Sequence, residues 1–161
     1  MDKMDTIMQH VNEANSLISR GEYTAARNAI RNSPYYPELS NDSAPLYLAE
    51  MNSFLAEGNF ERAMNIAERL DRPGMNYLVN LYRLSYLAQI QQRLGKKEDA
   101  LETVEIAKLI ALQHEREVDS GTLCEITARR GYILCDLERW SDALAVLAEA
   151  KHICVGDDEK S

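Results

Sequence analysis

Gly21-Glu22-Tyr23-Thr24-Ala25-Ala26, Gly58-Asn59-Phe60-Glu61-Arg62-Ala63, Gly95-Lys96-Lys97-Glu98-Asp99-Ala100 and Glu138-Arg139-Trp140-Ser141-Asp142-Ala143 are four versions of one turn. The shared form is Gly-x-aromatic-x-x-Ala, with Lys97 and Glu138 as departures, and it recurs after 37, 37 and 43 residues. Each part has a physical cause. Glycine ends a helix because it enters the left-handed region without a Cβ penalty. The aromatic two residues on can staple the start of the next helix. A short alanine lets two antiparallel helices approach closely.

Working outward, helical period continues on both sides of every turn. Downstream, Ala26 leads to Ile30, Ala63 to Ala67 and Leu70, Ala100 to Val104 and Ala107, and Ala143 to Leu147 and Ala150, which are i, i+4, i+7 positions on one face. Upstream, Ile7, Val11 and Ala14 form one stripe and Leu48, Met51 and Leu55 another. Leu84, Leu87 and Ala88, then Ile126, Ile133 and Leu134, supply the other two. Ser43 before Ala44-Pro45 marks a helix start, and Thr122-Leu123-Cys124-Glu125 reads as a capping box behind the break Asp119-Ser120-Gly121. Asn32-Ser33-Pro34-Tyr35-Tyr36-Pro37 cannot be helical throughout and joins the first two hairpins. The pattern predicts eight helices, over residues 4–19, 23–32, 44–57, 60–71, 75–94, 97–117, 122–137 and 141–154. They form one all-α domain over 1–154, followed by a frayed acidic tail over 155–161.

Composition removes several classes of function. With 161 residues, 45% of them apolar, the chain can bury a core for one domain. Its 26 acidic and 18 basic side chains give a net charge of −8. The basic pairs Arg129-Arg130 and Lys96-Lys97 are flanked by acids, so no cluster exists to neutralise phosphates. Neither nucleic acid nor an anionic membrane is expected as a partner. No apolar run approaches the roughly 20 residues that cross a bilayer, and Met1-Asp2-Lys3-Met4-Asp5 lacks a signal-peptide core. The three cysteines, Cys124, Cys135 and Cys154, form no CxxC pair and are expected as thiols packed within helices. These readings place the protein in the cytoplasm.

Helix–turn–helix units with this turn resemble tetratricopeptide repeats, and the resemblance covers roughly residues 7–154. It implies a right-handed superhelix of about four such repeats, with the first helix of each lining a concave groove. The spacings of 37 and 43 exceed the family's usual 34 residues; the last is similar to longer variants in kinesin light chains and bacterial regulators. His10 and Glu13 stand where the family usually buries apolar side chains. The family's groove positions fall on Asn15 and Ile18, then Leu48, Asn52 and Leu55, then Tyr82, Ser85 and Gln89, then Tyr132. Repeats that clamp a terminal carboxylate need basic groove residues; Val11, Leu48, Ser85 and Ala128 occupy those places here. The resemblance therefore implies an uncharged surface for an extended or helical segment of another protein. Asparagine and glutamine would bond its backbone, and tyrosines would supply contact area.

Other readings stand beside these. Tyr82, Tyr86 and Tyr132 serve either as groove anchors or as helix–helix core, and Trp140 is expected as a hairpin staple. Tyr35 and Tyr36 either pack down or mark an exposed contact. His10, His114 and His152 lie on separate helices, and His114-Glu115 fails as a zincin motif because Val118 stands where the second histidine belongs. No phosphate loop, nucleophile elbow or carboxylate pair is present. The expectation is a scaffold without catalytic residues, metal or cofactor: a bacterial cytosolic chaperone or adaptor, similar in size to the chaperones of secretion-apparatus subunits. The alternatives are a regulatory or sensor subunit of a transcription or signalling system, and an assembly subunit acting by homo-oligomerisation.

Overall fold

All four turns carry the same backbone bonds. Gly21 N–H donates to the Ile18 carbonyl (3.0 Å) and Glu22 N–H to that of Leu17 (2.9 Å). The pattern repeats with Gly58 to Leu55 and Asn59 to Phe54, with Gly95 to Gln92 and Lys96 to Gln91, and with Glu138 to Cys135 and Arg139 to Leu134. Orphan carbonyls at each helix end are thereby satisfied. The next helix starts at once, because Ala26, Ala63, Ala100 and Ala143 donate to the carbonyls of Glu22, Asn59, Lys96 and Arg139. Those four alanines are buried.

The fourth turn lacks glycine yet keeps the geometry: Glu138 sits at φ 59°, beside 77°, 89° and 77° for Gly21, Gly58 and Gly95. A left-handed non-glycine residue costs roughly 1–2 kcal/mol, and glycine's looser unfolded chain takes back about 0.5–1. Glu138→Gly is therefore expected to stabilise the protein by about 0.5–1 kcal/mol. Urea unfolding checks it; a less stable variant would mean the turn is held by the Glu138 side chain.

The computed structural model describes residues 2–158. Eight helices account for most of them, with no strand among the described residues: α1 Lys3–Ser19, α2 Tyr23–Arg31, α3 Ala44–Glu57, α4 Phe60–Leu70, α5 Tyr77–Arg93, α6 Lys97–Gln113, α7 Ser120–Asp136 and α8 Trp140–Asp158. No helix among these residues is long and apolar enough to cross a membrane. The ends of α6 and α8 depart most from the expected boundaries, α6 stopping four residues early at Gln113 and α8 running four residues on to Asp158, while α5 starts two residues late and α7 two residues early. Asp119 caps α7 by accepting from Thr122 N–H (2.7 Å), so the helix begins before Thr122 and the capping box is replaced. Asn76 accepts from Val79 N–H (2.9 Å), which starts α5 at Tyr77. Ser43 accepts no bond from the first turn of α3; its hydroxyl donates to the Glu38 carbonyl (2.6 Å). Helix α8 continues through 155–158, four residues into the segment expected as a tail, and 159–161 lie outside the described residues.

The chain divides into two compact units, residues 1–86 and 87–161, with the division inside α5. In the first unit α1 pairs with α2 and α3 with α4, while α3 also packs on α1 and α2. Ile7, Val11, Ala14, Ala26, Ile30, Leu46 and Ala49 form its core, with Leu17, Ile18, Tyr35 and Tyr36 packed against it. Tyr35 and Tyr36 thus pack down. Buried Arg27 ties α2 to α3, pairing with Glu57 (3.0 Å), donating to Ser53 Oγ (3.3 Å) and lying 4.4 Å from the Phe54 ring centroid. In the second unit α7 packs on α6 and α8. A polar seam joins the last turns of α5 to α6 and α7: Thr103 donates to Gln91 (2.7 Å), and Gln92 donates to Asp136 (2.8 Å). A disulfide between Cys124 and Cys154 links α7 to α8, with Cα atoms 5.5 Å apart. The expectation of three packed thiols is corrected: only Cys135 is free. The hairpin register sets the beginning of α7 opposite the end of α8, which no sequence spacing announces.

Candidate functional site

The first unit holds a groove of about 550 Å³. Helix α1 supplies Met4, Met8, Val11 and Asn15; the start of α3 supplies Pro45, Leu48 and Ala49; the start of α5 supplies Leu78, Val79, Tyr82 and Tyr86. Loop residues Asn41, Asp42 and Asn76 complete the lining. All three contributing helices are the first members of their hairpins. They turn the same kind of stripe toward the cleft, Met4–Met8–Val11–Asn15 and Leu78–Val79–Tyr82–Tyr86 being helical i, i+3, i+4 sets.

An amide clasp joins the loop residues of the lining. Asn41 donates through its side chain to the Gly74 carbonyl (3.0 Å) and accepts from Asn76 N–H (2.8 Å). The Asn76 side chain in turn caps α5. One residue therefore sets the height of the loop before α5 and the point at which Leu78 and Tyr82 enter the groove. On the other wall, Lys3 bridges Glu38 (3.4 Å) and Asp42 (3.7 Å) and lies 5.2 Å from the Tyr35 ring centroid. These ion pairs are exposed and add little stability, but they neutralise the one charged lining residue, Asp42. What remains is apolar surface with three amides.

The loop behind that wall is anchored on Tyr47. Its hydroxyl donates to the Pro37 carbonyl, and its ring stands 5.3 Å from that of Tyr36. Burial pushes the phenols of both Tyr36 and Tyr47 above their ordinary value. Glu50, beside them and buried, raises both further, while Arg69 opposes the rise at Tyr47.

Of the residues expected to bind a partner, Asn15, Leu48 and Tyr82 line this groove together. Asn52, Leu55 and Ser85 do not: Leu55 is buried, Asn52 is half-buried on α3, and the Ser85 hydroxyl donates to the Leu81 carbonyl (2.9 Å). Gln89 and Tyr132 belong to the second unit, where Gln89 is half-buried and Tyr132 is 53% exposed. Ile18 packs on the core. The sequence reading missed Met4, Met8 and Leu78, all exposed, because an apolar residue at helical period reads as core whichever way the face turns. It missed Asn41 and Asn76 because loop residues have no period. Trp140, expected as a hairpin staple, is 62% exposed.

No group of three histidine, cysteine or acidic side chains is placed to hold a metal among the described residues. A smaller hollow over Leu112–Glu117 is lined by charged and amide side chains of one helix end. No protein-family model and no curated protein matches the sequence.

Proposed function

We propose that this chain is a non-enzymatic protein-binding scaffold of the tetratricopeptide-like superhelical kind, a cytoplasmic chaperone or adaptor whose partner offers an apolar segment to the groove in residues 1–86. The observation that carries the reading is the groove itself. It is built from α1, α3 and α5, the helices that line the concave face in such repeats, and it brings Asn15, Leu48 and Tyr82 together. Its volume falls within the roughly 300–1,000 Å³ of pockets that enclose a ligand. Apolar lining supplies the driving force, since each buried methylene contributes about 0.8 kcal/mol. The side-chain amide of Asn15 and the hydroxyl of Tyr82 offer partners for a peptide backbone. With no lysine or arginine among its lining residues, the groove favours an internal apolar stretch over a terminal carboxylate.

A library of twelve-residue peptides screened against the purified chain tests this. Bound peptides are expected to be rich in apolar residues, with those residues at i, i+3 or i+4. Leu78→Asp and Tyr82→Ala should each weaken the selected peptides about tenfold or more, a loss of about 1.4 kcal/mol. Leu78 is 41% exposed, so its replacement leaves the core intact. Peptides held equally by parent and both variants, or chosen without apolar preference, would refute the groove.

A further inference from the structure

Ala150 is the last residue of α8 described as buried, and the helix runs on to Asp158. Lys151, His152, Cys154 and Val155 are exposed and Ile153 is half-buried. One covalent bond reaches this segment, the disulfide from Cys154 to Cys124 on the second turn of α7. Behind it the hairpin is closed independently by Ile133, Leu134, Ala143, Val146 and Ala150, all buried. The bond therefore secures the end of a helix whose body stands without it.

From this placement we propose that Cys124 and Cys154 form a reversible redox-modification site that exchanges with low-molecular-weight disulfides and sets the order of the last two turns of α8. Cys154 is the exposed partner, and Lys151, three residues earlier, is exposed on the same helix face. In the oxidising direction the Cys154 thiolate attacks one sulfur of a disulfide RS–SR and expels RS⁻, leaving a mixed disulfide. The Cys124 thiolate then attacks the Cys154 sulfur and expels the second RS⁻. Two protein thiols and one RS–SR become one protein disulfide and two RSH, and excess thiol reverses both steps. Cα atoms 5.5 Å apart lie inside the usual disulfide range, so closure needs no movement of the helix bodies. Cys135, eleven residues further along α7, lies about 16 Å away along the helix axis and cannot compete. The site is separate from the groove and does not depend on its role.

The test equilibrates the full native chain with graded mixtures of reduced and oxidised glutathione. Acid quenching, alkylation and peptide mass spectrometry then read the bond, and hydrogen exchange reads the backbone. The expected result is a Cys124–Cys154 linked peptide that appears and disappears reversibly without denaturant, while Cys135 stays open to alkylation on unfolding. Amides of residues 151–158 should exchange at least tenfold faster in the reduced form, those of 126–147 should be unchanged, and Cys154→Ser and Cys124→Ser should both match the reduced form. A bond that opens only on denaturation, a lasting glutathione adduct on Cys154, or equal exchange over 151–158 in the two forms would each overturn the proposal.

Discussion

Tyr47→Ala is expected to destabilise the protein by about 3–5 kcal/mol, the range for removing a large buried aromatic. The side chain is fully buried, stacks beside Tyr36, and bonds the Pro37 carbonyl through its hydroxyl. Arg69 lies 5.3 Å from its ring centroid on α4, so truncation removes packing from α3, α4 and the 35–43 loop together. Tyr47→Phe separates the terms: it keeps the ring and loses the hydroxyl bond, at a cost of about 1 kcal/mol. It also changes the alkaline limb. Because the folded phenol is raised above its ordinary 10.0, its contribution is whole below pH 10 and is lost as pH rises through the raised value. Urea unfolding followed by circular dichroism gives the stabilities. A Tyr47→Ala variant within 1 kcal/mol of the parent would show that the loop is anchored elsewhere. The same loop carries Asn41 and Asp42, so peptide affinity should fall in Tyr47→Ala even at temperatures where it stays folded.

The second large effect belongs to Gly131 on α7. A Cβ there would fall 2.6 Å from Leu147 Cγ and 2.5 Å from its Cδ2, on the facing helix α8. The γ-carbon cannot swing away as a side-chain tip can. Overpacking of this kind costs about 1–3 kcal/mol, offset by roughly 1 kcal/mol of helix propensity gained on leaving glycine. Gly131→Ala should therefore destabilise by up to about 2 kcal/mol. In a Leu147→Ala background the clash is gone, and the same change should stabilise by up to about 1 kcal/mol. A double-mutant cycle measures that reversal. Additive effects would mean that α7 and α8 do not meet at this point.

The four turns were legible because each imposes demands that few residues meet: a left-handed backbone, then a side chain no larger than a methyl group five residues on. Glu138 shows how strong the demand is, since the chain takes the left-handed form there without glycine. Helix ends were read less well wherever a side chain from a loop decided them, as Asp119 and Asn76 do for α7 and α5. In the groove, the resemblance to tetratricopeptide repeats is what pointed to Asn15, Leu48 and Tyr82, which line it together. Period is silent on which apolar stripe meets another helix and which meets solvent, so nothing in the sequence singles out Met4, Met8 and Leu78. The Asn41 clasp and the Cys124–Cys154 bond join positions more than thirty and thirty residues apart. Such pairings depend on how hairpins are set against one another, which no local pattern records.

Trp140 is the chain's one tryptophan, and it lies largely in solvent at the start of α8. Its emission is that of an indole already in water before unfolding, so a fluorescence melt or titration will shift little whatever happens to residues 1–86. Seven of the eight tyrosines fall in that unit. Near-ultraviolet dichroism or tyrosine absorbance is thus the optical window through which groove occupancy can be watched, and a flat indole signal should not be taken as a failure to bind.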